Sequence, residues 1–140
     1  MSKVAVVYWS GTGNTEKMAN AVLAGIKENG ADGELFTASE FNKDMVANYD
    51  AIAFGCPSMG AEELEETEFA PMFEDCKSVL NGKKIALFGS WGWGGGAWME
   101  TWTADCEAMG ANLACDAVTC ADAPDDDAIA ACKDLGKALV

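Results

Sequence analysis

The sequence predicts an α/β fold with one doubly wound parallel sheet of five strands, in a single domain over residues 1–140. Short apolar segments alternate five times with segments of helical periodicity, which is the pattern of repeated strand–helix units. The apolar segments contain few polar residues, as expected of parallel strands that helices cover on both faces. Half of the 140 residues are hydrophobic, which is enough for one core of this size.

The first half of the chain contains three predicted strands and one long helix. Residues 3–9 form a β-branched run, which favours a strand. Residues 15–29 carry apolar side chains at helical spacing and end at Gly30, a typical C-cap residue. The other elements of this half follow from the same patterns and are a strand at 34–37, a loop with a brief helix at 41–49, and a strand at 51–55.

The second half contains three predicted helices and two strands. Pro71 lies near the start of one helix, where the missing N–H is tolerated, and Gly110 ends another. Residues 123–127 are rich in Asp, which is favoured at helix starts, so they cap the last helix. In chain order the predicted elements are a helix at 71–80, a strand at 84–89, a helix at 98–109, a strand at 113–119 and a helix that ends near Leu139.

The charge of the chain is strongly negative. Nine Lys and no Arg face 23 acidic residues, which gives a net charge of −14. Such a field repels nucleic acids and anionic membranes and attracts a basic surface on a partner protein. The alternative is that the acidity only keeps the protein in solution. The chain has no apolar run near the ~18 residues of a membrane span and no secretory signal, so we expect a cytoplasmic protein.

Several catalytic classes lack the residues that they need. Without His, triads of the Ser-His-Asp and Cys-His types are excluded. Without Arg, phosphatase chemistry at Cys56 is disfavoured, and the first loop has no Lys for a Walker motif. The spacing of the six cysteines fits neither zinc nor iron–sulfur ligation, so we expect buried thiols and no metal. These cysteines are Cys56, Cys76, Cys106, Cys115, Cys120 and Cys132.

The loop between the first strand and the first helix has the features of a phosphate-binding loop. Gly11 and Gly13 permit a tight turn and close approach of backbone N–H groups, and the next helix begins with unpaired N–H groups and a positive dipole end. Glu16 takes the third glycine position of G-x-G-x-x-G, which favours one terminal phosphate, as in a mononucleotide. The alternative is an ordinary glycine-containing turn. The candidate ligand-binding residues are Ser10, Gly11, Thr12, Gly13, Asn14 and Thr15.

Two further loops follow the third and fourth strands, and the carboxyl ends of parallel strands form one ligand-binding edge. Trp93 has glycine on both sides, so its ring can stack on a flat aromatic ligand. Met59 in the other loop can cover the opposite face of that ligand. The alternative is that Trp91 and Trp93 close the end of the sheet. The candidate residues of these loops are Pro57, Ser58, Met59, Gly60, Ala61, Glu62, Ser90, Trp91, Gly92, Trp93 and Gly94.

In these three loops the chain resembles the flavodoxins, in particular the short-chain kind of anaerobic bacteria such as clostridia. The similarity covers nearly the whole length. Its marks are the segments YWSGTGNTE at 8–16, GCPSMG at 55–60 with Glu62, and FGSWGWG at 88–94. The resemblance implies a sheet in strand order 2-1-3-4-5 and a tightly but non-covalently bound flavin mononucleotide (FMN).

The resemblance also implies a role for each loop. Residues 10–15 would cradle the phosphate through backbone N–H and hydroxyl groups, without a cation. The implied ring contacts are Trp93 on one face, Met59 and Gly60 on the other, Glu62 at the flavin N3–H, and the backbone near Trp91 and Gly92 at the pyrimidine edge. The peptide at 60–61 would turn to accept a hydrogen bond from the reduced flavin. The chain departs from the family pattern at Pro57, Ala61 and Trp91, so affinity and potential are expected to shift.

The function implied is that of a low-potential one-electron carrier, not an enzyme. It would shuttle between semiquinone and hydroquinone and could replace ferredoxin. Nearby acids disfavour an anionic hydroquinone, and they are Glu62, Glu63, Glu65, Glu66 and Glu68. The expected partners are ferredoxin-type reductases or oxidoreductases that dock a monomer on its acidic face. The alternative is a small flavin-dependent NAD(P)H or quinone oxidoreductase. A response regulator is disfavoured because Trp9-Ser10 and Gly55-Cys56 stand where it needs acids.

Overall fold

The computed structural model describes residues 3–11, 13–58, 65–91 and 97–140. Within them the strands are β1 (Lys3–Tyr8), β2 (Asp32–Thr37), β3 (Ala51–Gly55), β4 (Lys84–Trp91), β5 (Asn112–Leu113) and β6 (Val118–Ala121). The helices are α1 (Asn14–Glu28), α2 (Lys43–Val46), α3 (Phe69–Cys76), α4 (Ala97–Ala108) and α5 (Asp126–Ala138). Short 3-10 turns follow β2 at Ala38–Glu40 and α3 at Lys77–Val79.

The strands form one parallel sheet in the order β2-β1-β3-β4-β5, and β6 pairs with β4 farther along the same edge. This confirms the predicted fold class and the strand order 2-1-3-4-5. Every residue of β3, and all of β1 after Lys3, is buried. The sheet is therefore covered on both faces, as the continuous apolar strands predicted.

The prediction of one fifth strand at 113–119 is wrong, because two short strands occupy this edge. Ile85 of β4 pairs with Leu113, and Phe88 pairs with Val118. From Ile85 to Phe88 the chain of β4 advances three residues, whereas from Leu113 to Val118 the paired chain advances five. The segment 114–117 between β5 and β6 therefore has two residues more than β4 can pair. This segment contains the charged Asp116 and leaves the regular ladder after the bond from Ala114 N–H to Ile85 O, 2.9 Å.

The other boundaries differ by a few residues, and hydrogen bonds at the ends of the elements accompany the differences. β1 ends at Tyr8 rather than Trp9, although the Trp9 N–H still donates to Gly55 O at 3.0 Å. α3 begins at Phe69, two residues before the predicted start at Pro71, because the Glu65 carboxylate accepts hydrogen bonds from the N–H groups of Glu68 and Phe69 at the helix start. β4 continues to Trp91, two residues beyond its predicted end, through its pairing with β6.

Two predicted helix caps are present, one after α1 and one before α5. Gly30 follows α1 with φ of 85° and donates to Lys27 O. This left-handed conformation is the usual reason for glycine after a helix. Before α5, the Asp125 carboxylate accepts from Ala128 N–H at 2.8 Å and caps this helix.

Two hydrophobic layers lie on opposite faces of the sheet. One layer packs α1 and α5 against the sheet and is mostly aliphatic. Its two helices touch through glycines, because a Cβ on Gly25 would overlap the Lys133 backbone and a Cβ on Gly136 would overlap the Val22 carbonyl. The other layer packs α3 and α4 and is rich in aromatic side chains, which are Phe41, Tyr49, Phe54, Phe69, Phe73, Trp98 and Trp102.

Candidate functional site

The first loop connects β1 to α1 and ends in a glycine that begins the helix. Gly13 has φ of 94°, a left-handed conformation that favours glycine, and its N–H donates to Ser10 Oγ at 3.0 Å. Gly13 is the N-cap of α1, and no side chain of the described residues caps the first turn. The first N–H groups of a 15-residue helix are therefore available to an anion, and the helix dipole favours negative charge there.

A pair of buried hydroxyl groups ties this helix start to the end of β4. Thr15 Oγ1 lies 3.3 Å from Ser90 Oγ. The two residues are 1% and 5% exposed, so neither hydroxyl exchanges freely with bulk water. Thr15 and Ser90 are thus brought together from opposite ends of the predicted site.

The loop after β3 joins the same place. Ser58 N–H donates to Ser90 O at 3.1 Å. Ser58 and the preceding Pro57 are half-buried. The carboxyl ends of β1, β3 and β4 therefore meet at one edge of the sheet, beside the start of α1 and the hydroxyl groups of Thr15 and Ser90.

Trp91 lies in a strand rather than in a loop. It is the last residue of β4, pairs with Ala121, accepts a hydrogen bond from Asp122 N–H at 2.8 Å and packs half-buried against the aromatic layer. The alternative in which Trp91 and Trp93 together close the end of the sheet stays a prediction, because Trp93 lies outside the described residues. Ser90, which precedes Trp91, supplies the polar contacts described above.

Part of the predicted site lies outside the described residues. The remaining first-loop candidate, Thr12, is one of these. The others belong to the two later loops and are Met59, Gly60, Ala61, Glu62, Gly92, Trp93 and Gly94. The described residues on either side of each gap place the ends of both later loops at the same edge of the sheet.

Sequence reasoning missed a buried junction at this edge, formed by Cys56, Glu65 and Trp98, which we call the Cys56 junction. Cys56 N–H donates to Phe88 O at 3.1 Å, Cys56 Sγ accepts from Glu65 N–H at 3.3 Å, and Cys56 O accepts from Trp98 Nε1 at 3.3 Å. Phe88 belongs to β4, Glu65 precedes α3 and Trp98 lies in the first turn of α4. One residue thus joins the ends of both later loops.

The Glu65 carboxylate is itself saturated with hydrogen bonds. It accepts from Thr67 N–H at 2.8 Å, Glu68 N–H at 2.7 Å, Phe69 N–H at 2.9 Å and the Thr67 hydroxyl. Burial raises the pKa of this carboxyl, but the hydrogen bonds, led by the one from the Thr67 hydroxyl, outweigh it and hold the pKa below its ordinary value. Among the acids that the sequence analysis named together, Glu65 is therefore buried and hydrogen-bonded, whereas Glu66 and Glu68 are exposed.

A sequence signal for Glu65 existed, although it is weak. An acidic residue followed by Thr67 and Glu68 stands directly before the apolar Phe69, and acids are favoured at helix starts. Nothing in the sequence pattern distinguished it from the four neighbouring glutamates.

The six cysteines are free thiols that lie mostly in the core. Four of them are buried, while Cys115 and Cys120 are half-buried. Burial raises the pKa of Cys56 to about 12, so its sulfur is protonated at neutral pH and no thiolate is available for nucleophilic chemistry. Among the described residues, no group of acidic or Cys side chains could hold a metal ion.

Comparisons with known proteins agree with this arrangement. A family model described as Flavodoxin matches residues 6–136. A flavodoxin from Megasphaera elsdenii is 47% identical over 135 residues, which are 96% of this chain and 96% of that protein. A flavodoxin from Clostridium beijerinckii is 52% identical over 95 residues, which are 68% of this chain and 69% of that protein.

A solved structure shows the same likeness in three dimensions. The solution structure of two-electron reduced Megasphaera elsdenii flavodoxin matches with a TM-score of 0.89 at 46% identity, covering 97% of each chain. No helix among the described residues has the length and apolar character needed to cross a membrane.

Proposed function

The chain belongs to the flavodoxin family, which makes it an FMN-binding electron carrier rather than an enzyme, and from this premise we propose that it is a low-potential one-electron shuttle. In this proposal residues 1–140 form a single domain that works as a cytoplasmic monomer, cycles between the semiquinone and hydroquinone forms, and can replace ferredoxin. The six free thiols support a reducing compartment.

The observation that carries the proposal is the start of α1, which no side chain of the described residues caps, beside the Thr15–Ser90 hydroxyl pair. A phosphate monoester needs several donors in one place, and a helix start with a glycine N-cap provides them without a cation. This fits a chain that contains no Arg and whose first loop contains no Lys. We assign the phosphate to Ser10, Thr12, Asn14 and Thr15 together with the backbone of Gly11 and Gly13.

The ring end of the site is assigned from the family pattern. FMN supplies the electron chemistry when bound, and the protein orients it and sets its potential. We propose that Met59 and Trp93 cover the two ring faces and that Glu62 accepts the hydrogen bond from N3–H. Other contacts come from Pro57, Ser58, Gly60, Ala61, Ser90, Trp91, Gly92 and Gly94.

A very low second potential follows from charge. The net charge is −14, and a second electron would add negative charge in a poorly hydrated place. Glu66 and Glu68 are exposed near the start of α3, whereas Glu65 is hydrogen-bonded inside the protein. We therefore expect that neutralising several glutamates of the run at 62–68 raises the second potential.

The experiment that tests the function is stepwise anaerobic reduction of the purified protein, followed by visible absorbance. A yellow protein that turns blue and then bleaches at very low potential supports the one-electron shuttle. Direct bleaching without a blue intermediate overturns it and favours the two-electron NAD(P)H or quinone oxidoreductase. Sustained NAD(P)H oxidation without a partner protein points to the same alternative.

We also propose that redox partners dock on the acidic face that Glu66 and Glu68 begin. This is tested by the ionic-strength dependence of electron transfer from a ferredoxin-type reductase. The double variant of Glu66→Gln and Glu68→Gln is compared with Glu100→Gln and Glu107→Gln on α4, which removes the same charge elsewhere. A flatter salt dependence only in the first variant supports the docking face, and equal slopes contradict it because net charge alone then explains the effect.

A further inference from the structure

The Cys56 junction lies at the boundary between the sheet and both later loops. Residues 57–64 leave β3 through Cys56 and return at Glu65, whose N–H donates to Cys56 Sγ. Residues 92–96 leave β4 and return to α4, where the indole N–H of Trp98 donates to Cys56 O. The hydrogen bonds at the ends of both segments therefore share one residue, Cys56, which is fully buried.

Close packing on the β4 side leaves the junction little freedom. Gly89 lies against Cys56, and a Cβ there would overlap the Cys56 carbonyl oxygen. Cys56 N–H is held by Phe88 O, and Ser58 N–H by Ser90 O. A displacement of Cys56 would therefore break backbone bonds to β4 together with the bonds to Glu65 and Trp98.

The polar groups of the junction are shielded from bulk solvent. Cys56, Trp98 and Glu65 are 0%, 2% and 4% exposed, and a buried donor or acceptor that loses its partner retains the cost of its desolvation. Neutral Cys56 Sγ accepts from Glu65 and also donates to Pro57 O at 3.5 Å. Each loop end consequently has one low-energy position relative to the sheet.

We propose that Cys56, Glu65 and Trp98 are positioning residues that hold the ends of segments 57–64 and 92–96 and thereby set the two one-electron potentials of bound FMN. The inference rests on the proposed function, because it takes these segments to contact the flavin ring. None of the three residues needs to touch the ring. Their effect arises because a shift of a loop end changes the hydrogen bonds and stacking that the loop offers in each oxidation state.

A merely structural role would look different. In that case removal of a junction contact would lower the stability of the apoprotein, while FMN potentials would change no more than for any other buried substitution of similar cost. A comparison of two tryptophans on α4 distinguishes the positioning role from the merely structural role. Both are nearly buried, but Trp98 Nε1 donates to Cys56 O, whereas Trp102 Nε1 has no hydrogen-bond partner among the described residues.

The test compares Trp98→Phe with its matched control Trp102→Phe. Each holoprotein is measured for its two potentials, its FMN dissociation constant and its visible circular dichroism, and each apoprotein for its unfolding free energy. For Trp98→Phe we expect the semiquinone formation constant to change about threefold or more, which is about 28 mV in the separation of the potentials. For Trp102→Phe we expect a smaller change at comparable stability. Equal changes in both variants overturn the proposal.

The cysteine provides a rescue experiment if Trp98→Phe fails to fold. Cys56→Ala removes the acceptor of the Glu65 N–H, whereas Cys56→Ser keeps an acceptor, and Cys106→Ala is the control at a buried thiol on α4. We expect the shift in Cys56→Ala to be larger than in Cys106→Ala and to be partly restored in Cys56→Ser. A shift in Cys56→Ala no larger than in the control contradicts the junction's role.

Failure of the junction and failure of the proposed function have separate signatures. If the wild-type protein binds FMN but forms no semiquinone, the one-electron shuttle is wrong. The positioning role is then decided by the FMN dissociation constant and the flavin circular dichroism. A difference between Trp98→Phe and Trp102→Phe in these two measurements supports loop positioning, and no difference refutes it.

Discussion

The two hydrophobic layers of the sheet solve the packing problem in different ways. The layer of α1 and α5 brings backbones into contact, because Gly25 faces the Lys133 carbonyl and Gly136 faces the Val22 carbonyl. The layer of α3 and α4 keeps its helices apart and fills the space with rings. Phe73 meets Phe54 and Trp102 edge-on at centroid distances of 5.1 and 5.5 Å.

This difference matches the two ends of the site. The loop that we propose for the phosphate leads into α1, whose position is set by backbone contacts that tolerate no added atom. The segments 57–64 and 92–96, which we propose for the ring, are followed by α3 and α4, whose positions depend on side-chain shape and on the Cys56 junction. In this proposal the phosphate end of the site depends on a contact between two backbones, and the ring end depends on contacts that side-chain substitution can adjust.

The largest expected effect is loss of the aromatic layer in Phe73→Ala. Phe73 is 2% exposed and contacts three other rings, so truncation should cost about 3–5 kcal/mol of unfolding free energy. Urea unfolding of the apoprotein measures the loss. Val79→Ala in the 3-10 turn after α3, at a side chain 42% exposed, should stay within about 0.5 kcal/mol. A small loss at Phe73 would mean that the rings repack freely.

The next effect is a direct challenge to the glycine contact. Gly25→Val places a branched side chain where even a Cβ would overlap the Lys133 backbone, and overpacking of this kind should cost about 3 kcal/mol. The control is Ala24→Val, which changes the same helix at a half-buried position. Equal losses in urea unfolding would show that helix propensity, rather than the contact between the helices, explains the effect.

A smaller and pH-dependent effect is expected for Glu65→Gln. Hydrogen bonds lower the folded-state pKa of this carboxyl, so its stabilisation is present above the pKa of the unfolded chain and is lost as the pH falls through the folded-state value. The variant should lose about 1.5–3 kcal/mol at pH 7 and much less in acid. Glu66→Gln, at an exposed side chain, is the control. A loss that does not vary with pH would contradict the assignment.

The smallest effect concerns the hydroxyl pair that links α1 to β4. Ser90→Ala leaves the buried Thr15 hydroxyl without its partner and should cost about 1 kcal/mol. A double-mutant cycle with Thr15→Val isolates the coupling between the two hydroxyl groups. A coupling near zero in the apoprotein would contradict a stabilising hydrogen bond between the two hydroxyl groups.

Much of the fold was predictable because periodicity reports burial directly. Residues 51–55 are apolar without interruption and form a strand buried along its whole length, and Gly30 ends α1 in the conformation that glycine favours. The tight turn of the first loop was equally predictable, because glycine spacing and a following helix are local features of the sequence. The structure shows a tight turn there, in which Gly13 N–H donates to Ser10 Oγ at 3.0 Å.

Three predictions were wrong or incomplete because the local structure depends on residues that are distant in the sequence. The split of the last strand depends on its register against β4, which the segment 114–117 does not encode by itself. Glu65 looked like one member of a charged run, and only its contacts with Cys56 and the α3 start remove it from solvent. Trp91 looked like a loop residue until β6 extended its strand.

The sequence by itself determined the alternation of strands and helices, the positions of the three loops and the flavodoxin resemblance, because each depends on neighbouring residues and on burial patterns of fixed period. The tertiary structure alone decided how the loop ends are joined. Cys56, Glu65 and Trp98 are separated along the chain and acquire their roles only when parallel strands place them side by side. Once they are buried together, each polar group must find its partner within the protein, and this requirement, rather than any local propensity, positions the ends of both loops.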